Sequence, residues 1–150
     1  MAGTWQLTFD CANPSLMTTF WAFALGYESE PPPESFPTWL AYWRHIGVPE
    51  DELDDHDEGS DSLVDPAGVG PRIWFQIVPE AKTVKNRLHV DVRASGGRSV
   101  PLPERRAQIE ARVAELVSAG ATRVRTLETE GLDHYGVTLT DPEGNEFCVN

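Results

Sequence analysis

The chain has 150 residues, with 24 acidic against 12 basic side chains and a net charge of −12, a length suited to one domain or two small joined modules. A surface this acidic repels a phosphate backbone and argues against a nucleic-acid partner. No uninterrupted apolar run is long enough to span a bilayer, and no basic segment followed by an apolar region opens the chain, so no membrane partner and a cytoplasmic location are expected.

The charge is uneven: residues 1–80 carry 14 acidic and 2 basic side chains, whereas residues 81–150 carry 10 of each. Cys11 and Cys148 are the only cysteines, too few for a disulfide framework, so free thiols are expected. A single bridge between them would require the first and last strands to meet.

In chain order, residues 4–11 alternate Trp5, Leu7, Phe9 and Cys11 with Gln6, Thr8 and Asp10, the period of a half-buried strand. Asn13 can cap a helix whose first turn accepts Pro14. Leu16, Phe20, Phe23 and Ala24 supply its apolar stripe, and Gly26 stops it. Three consecutive prolines, Pro31–Pro33, then imply an extended connector. In Phe36–Ile46 the aromatic residues Trp39 and Trp43 fall at helical spacing, but aromatic composition suits a strand equally well. Core packing is the first reading of that cluster, and the lip of a ligand pocket the second.

Glu50–Asp61 is an acidic loop without the ligand alternation of an EF-hand, so His56 within it reads as a solvated side chain. Residues 62–78 read as a hairpin turning at Asp65-Pro-Ala-Gly68, its second strand carrying Trp74 and Gln76 against Ile73, Phe75 and Ile77. The basic segment Lys82–Arg87 reads first as charge balancing at a junction; alternatively, Lys85 or Arg87 meets an anionic ligand group. Residues 88–93 then set His89, Asp91 and Arg93 against Leu88, Val90 and Val92. Pro103 can begin a second helix, with Ile109, Val113, Leu116 and Val117 as its apolar stripe and Glu104, Arg105, Glu110, Arg112 and Glu115 outside; Gly120 stops it. Thr122–Leu127 alternates as a strand, and Tyr135–Val149 forms a last hairpin turning at Asp141-Pro-Glu-Gly144.

The order strand, helix, strand and hairpin therefore runs twice, with Asp65–Gly68 matching Asp141–Gly144. Module one covers residues 1–80, with an insertion at about 28–61, and module two covers residues 81–150.

Phe9-Asp-Cys-Ala-Asn-Pro14 with Phe20-Trp21 and Leu25-Gly26-Tyr27, then Lys85-Asn-Arg-Leu-His-Val-Asp91, Gly120-Ala-Thr122 and Asp141-Pro-Glu-Gly-Asn-Glu-Phe-Cys-Val149 carry a resemblance to a known family. The chain resembles the vicinal oxygen chelate superfamily of glyoxalase I, extradiol dioxygenases and bleomycin-resistance proteins, and within it the glyoxalase-like domains. The resemblance implies an α+β fold of two tandem βαβββ modules, their strands making a cupped mixed sheet around a central cavity with the helices outside.

In metal-dependent members the first and last strand of each module send one side chain to a divalent ion, and those places map onto Gln6, Gln76, His89 and Cys148. Two neutral amides are weak ligands, which leaves His89 and Cys148 as the metal candidates, for one soft or borderline transition ion. The family's carboxylate is absent where Cys148 stands, and Glu146, two residues before it, is out of register to replace it. The metal-free state is therefore the expected one. Cys148 has no evident neighbouring base in the sequence, and Asp91 can orient His89 only if the strand geometry allows it.

The pocket candidates are Gln6, Gln76, His89, Cys148, Trp74 and Arg87; no catalytic residue is assigned. The expected function is binding of a small organic ligand, with lyase, isomerase or dioxygenase chemistry as its enzymatic form. The alternative is a metal-free sequestering protein of the bleomycin-resistance type, with Trp21, Trp39, Trp43 and Trp74 as candidate aromatic walls. The residues themselves do not give the oligomeric state; the resemblance implies assembly of paired modules across chains, as in a homodimer.

Overall fold

The alternation of the first strand is realised in β1 (Gln6–Cys11), where Leu7, Phe9 and Cys11 turn inward and Gln6, Thr8 and Asp10 stay exposed. The structure is a computed structural model that describes residues 3–53 and 60–150. It divides into two units, Met1–Ala81 and Lys82–Asn150.

In the first unit, Asn13 Oδ1 accepts from Leu16 N at 3.0 Å and Pro14 opens α1 (Pro14–Leu25). Gly26 ends it at φ 69°, a left-handed conformation that costs glycine nothing. The buried stripe of α1 is Met17, Phe20, Trp21 and Ala24, whereas Leu16 and Phe23 are exposed. The helix is apolar nearly all round, so two helical stripes compete, and the one with Met17 and Trp21 takes the core. Trp21 is 1% exposed, its ring 5.2 Å from Phe9, which itself lies 5.3 Å from Phe75. Full burial removes Trp21 from the candidate pocket walls.

After β2 (Glu28–Ser29), the aromatic segment is a helix, α2 (Trp39–Ile46), because Thr38 Oγ1 caps Ala41 N at 3.1 Å and Gly47 closes it at φ 89°. None of its residues is fully buried; Trp39 and Trp43 stack on each other with centroids 5.3 Å apart. Half of the acidic loop, residues 54–59 with His56, lies outside the described residues. The hairpin of β3 (Ser62–Val64) and β4 (Arg72–Ile77) follows. At its turn the Asp65 carboxylate accepts from the N–H groups of Ala67, Val69 and Gly70 at 2.9, 3.0 and 2.7 Å. The sheet order is β1-β4-β3-β2, with β1 and β4 parallel and the other pairs antiparallel.

The second unit repeats that plan with β5 (Asp91–Val92), α3 (Leu102–Ser118), β6 (Thr122–Glu128), β7 (Tyr135–Thr140) and β8 (Glu146–Val149). Its order, β5-β8-β7-β6, reproduces the first, including the parallel pairing of first and last strand. Ile109, Val113 and Leu116 of α3 are buried, as are Val137, Leu139, Phe147 and Val149 of the sheet. Asp141 repeats the turn of Asp65, accepting from Glu143 N at 3.0 Å and Asn145 N at 2.9 Å, but it is only 2% exposed.

Three expectations for this unit are corrected. Val117 is exposed, one step outside the stripe. Arg105, expected on the outer face of its helix, is 6% exposed because its Nε donates to Val100 O at 2.9 Å and its Nη2 to Asp133. The strand over 88–93 contracts to Asp91–Val92, leaving Leu88 exposed, although Val90 O still accepts from Cys148 N at 3.0 Å. The fold is thus α+β, two βαβββ modules with one four-stranded mixed sheet in each.

Candidate functional site

Parallel pairing places partner residues on the same side of a sheet. The β1–β4 register pairs Gln6 with Arg72, Thr8 with Trp74 and Asp10 with Gln76, which makes one polar face opposite the core face of Phe9 and Phe75. Gln6 and Gln76 share that face but stand four register positions apart, about 13 Å at strand rise. They are not brought together as a ligand pair.

Gln6 instead joins a cluster around Arg72, a residue the sequence reading passed over. Arg72 donates to Glu30 Oε2 from Nε at 2.9 Å and Nη2 at 2.6 Å, to Gln6 Oε1 at 2.9 Å and to Ser62 Oγ at 2.7 Å. The signal was available: Arg72 is one of two cations among 14 acids, and it sits on the polar parity of β4. Trp74 is half-buried on the same face, its indole N–H donating to Asp61 Oδ2 at 2.7 Å, so its ring is held in place.

On the second sheet, Asp91 and Cys148 are register partners in the parallel pair β5–β8. His89 Nδ1 lies 3.2 Å from Asp91 Oδ1, and one donor atom each of His89, Asp91 and Cys148 fall within 4.8 Å of one another. Thr138, the β7 partner of Cys148, places its hydroxyl 3.7 Å from the sulfur. His89 and Cys148 are therefore brought together, and the strand geometry does let Asp91 reach His89. The thiol also has an imidazole nearby, a neighbour that sequence separation concealed. Both cysteines are free thiols. Arg87 is exposed, with no hydrogen bond or ion pair among the described residues.

Glu146 is not a member of the cluster. Its carboxylate accepts from Asn86 N at 3.0 Å and pairs with Lys82 Nζ at 3.2 Å, tying the segment that leads to His89 onto β8. The Asn86 N–H, then the N–H of Glu146 itself and then Lys82, hold the Glu146 carboxyl at about 2. On the helix side of this sheet, the Arg123 guanidinium and the Tyr135 hydroxyl hold Glu110 likewise at about 2. Burial, with Glu110 beside it, pushes Tyr135 upward.

The family model for the glyoxalase-like domain matches residues 6–150. The chain belongs to the glyoxalase-like domain family. A glyoxalase/bleomycin resistance protein/dioxygenase family enzyme from Burkholderia phytofirmans PsJN is 19% identical with a TM-score of 0.55, over 97% of this chain and 94% of that one. The fosfomycin resistance protein FosX from Listeria monocytogenes is 8% identical with a TM-score of 0.58, over 99% and 92%. A mutant of the same FosX, solved with Mn(II) and 1S,2S-dihydroxypropylphosphonic acid, is 9% identical with a TM-score of 0.59, over 100% and 90%. At these identities the likeness is one of fold. No curated protein sequence matches significantly. No helix among the described residues of this glyoxalase-like protein is long and apolar enough to cross a membrane.

Proposed function

We propose that this glyoxalase-like protein binds a small organic ligand at a soft divalent metal held by His89, Asp91 and Cys148 on its second sheet. The observation that carries this reading is the convergence of imidazole nitrogen, thiol sulfur and carboxylate oxygen to within 4.8 Å. Mixed N, S and O donors suit zinc, nickel, cobalt or iron and disfavour magnesium or calcium. The His89–Asp91 separation of 3.2 Å matches the edge of a tetrahedron with bonds of about 2.0 Å. The sequence alone favours a metal-free state because Cys148 stands where the family has a carboxylate. Asp91 changes that balance by supplying the carboxylate from the neighbouring strand.

A bound metal would supply Lewis acidity, polarising adjacent oxygens of the ligand as lyase, isomerase or dioxygenase chemistry requires. The chain's own residues have separate tasks. Asp91 stands beside His89 Nδ1 as the second ligand, the Thr138 hydroxyl faces the sulfur, and Glu146 anchors the segment that carries His89. Manganese is the metal of the FosX complex; a thiolate makes the present donor set softer.

The test is metal content of untagged protein by inductively coupled plasma mass spectrometry, with His89→Ala, Asp91→Asn and Cys148→Ser alongside. Near-stoichiometric transition metal that each variant loses is the expected result. Metal absent from the wild type, with no uptake on titration, would overturn the proposal. It would favour the second reading, a metal-free sequestering protein whose half-buried Trp74, fixed by Asp61, stacks on a planar ligand. A homodimer is the expected assembly, read as twice the chain mass by light scattering.

A further inference from the structure

The second unit has a concavity that the metal cluster does not use. A cavity of about 510 Å³ opens at the C-terminal ends of β5 and β8, against the loop at 93–98, the start of α3 and the residues leading into β7. Three guanidinium groups line it, Arg93, Arg98 and Arg105, against one side-chain carboxylate, Asp133, with His134 and Tyr135 beside them.

Arg105 is held in place: it is 6% exposed, donates to Val100 O, and is paired with Asp133. One positive charge is thereby matched within the wall. Arg93 and Arg98 have no ion pair or hydrogen bond among the described residues, so the side chains lining the cavity carry an excess of two positive charges in a chain of net charge −12, beside the Asn150 main chain, whose O accepts from Ala94 N at 2.7 Å. Guanidinium groups gathered around one concavity repel one another, and that repulsion is relieved by an oxyanion whose oxygens match their planar N–H forks. The volume exceeds what a lone inorganic ion fills and lies in the range of small-ligand pockets. Tyr135 adds an edge of its largely buried ring to the lining, its hydroxyl taken by Glu110 and the Arg106 guanidinium 4.8 Å over the ring.

We propose that this arginine-lined cavity binds the oxyanion group of a small organic acid, a carboxylate or a phosphoryl group on a compact carbon framework. It shares no residue with the neighbouring metal cluster, although Arg93 follows Asp91 by only two residues, about 7 Å along a strand.

Isothermal titration of the full chain with inorganic phosphate and, separately, with benzoate tests this at low ionic strength. The variants are the double substitution Arg93→Ala/Arg98→Ala and, as a charge-removal control outside the cavity, Arg112→Ala. Saturable single-site binding is expected, weakened at least about tenfold in the double variant and within about twofold of wild type in the control. Stronger binding of phosphate assigns the site to phosphoryl ligands, and stronger binding of benzoate to carboxylates. No saturable binding of either probe, or equal weakening in the double variant and the control, would overturn the proposal. Near-ultraviolet circular dichroism confirms that the exposed-arginine variants are folded. Metal content of the same samples reads the His89–Asp91–Cys148 cluster independently, so the two proposals fail separately.

Discussion

Glu146→Gln removes a charge while keeping an acceptor for Asn86 N. The Glu146 carboxyl titrates at about 2 against an ordinary 4.5, and a difference of that size corresponds to a ceiling of about 3.4 kcal/mol. Its side chain is 23% exposed and its Lys82 partner 26%, so solvent screening reduces the expected loss to about 1–2 kcal/mol at pH 7. The folded-state pKa is depressed, so the stabilisation is complete above the unfolded value and is lost as pH falls through about 4.5 toward 2. Urea unfolding of wild type and variant across pH 7 to 2.5 should show a gap that closes over that interval. A second readout follows from position: Glu146 anchors Asn86, three residues before His89, so the variant should bind metal about tenfold more weakly. A gap that is absent at pH 7, or that stays constant down to pH 2.5, would refute the argument that the charge of Glu146 ties this segment down.

Asp141→Ala removes a 2% exposed carboxylate that accepts two backbone N–H groups and the Asn145 side chain; the expected cost is about 3 kcal/mol by chemical denaturation. Asp65→Ala, at the matching but more open turn, should cost less in the same assay. Trp21→Ala should destabilise by about 3–5 kcal/mol, whereas Trp74→Ala should leave the unfolding midpoint nearly unchanged and lower the affinity for planar ligands measured by fluorescence. Cobalt(II) added to the wild type should give a near-ultraviolet thiolate-to-metal absorption that Cys148→Ser abolishes. Because thiol and imidazole must lose protons to bind metal, the apparent affinity should fall as pH is lowered.

The turns explain why so much of the architecture was legible. Asp65-Pro-Ala-Gly68 and Asp141-Pro-Glu-Gly144 each direct a carboxylate at the N–H groups that follow, a local interaction that a short segment specifies by itself. The strand parities and the Asn13 cap are equally local. What escaped depended on tertiary choice. Leu16 with Phe23, or Met17 with Trp21, makes an equally good stripe on α1, and only packing against Phe9 and Phe75 selects the second. Arg105 reads as surface by composition and is buried because Val100 O and Asp133 receive it. Asp91 enters the cluster because a parallel register sets it beside Cys148, 57 positions away in sequence.

The same duplication that made the fold legible separates the chemistry of the two halves. Both sheets present a polar face with the same strand order, so equivalent positions were open to the same use. In the first unit Arg72 is engaged on all three nitrogens by Glu30, Gln6 and Ser62, and Trp74 by Asp61, so that polar face is satisfied internally. In the second, Asp91 and Cys148 meet across β5 and β8 beside His89, and all three are acceptors or soft donors toward a cation. A guanidinium at the centre of the first face repels a metal ion; a thiol, an imidazole and a carboxylate at the second attract one. Charge and donor type thus argue that the metal proposed above, where the duplicated scaffold holds one, belongs to the second copy, while the Arg72 network of the first copy is spent on holding its own strands together.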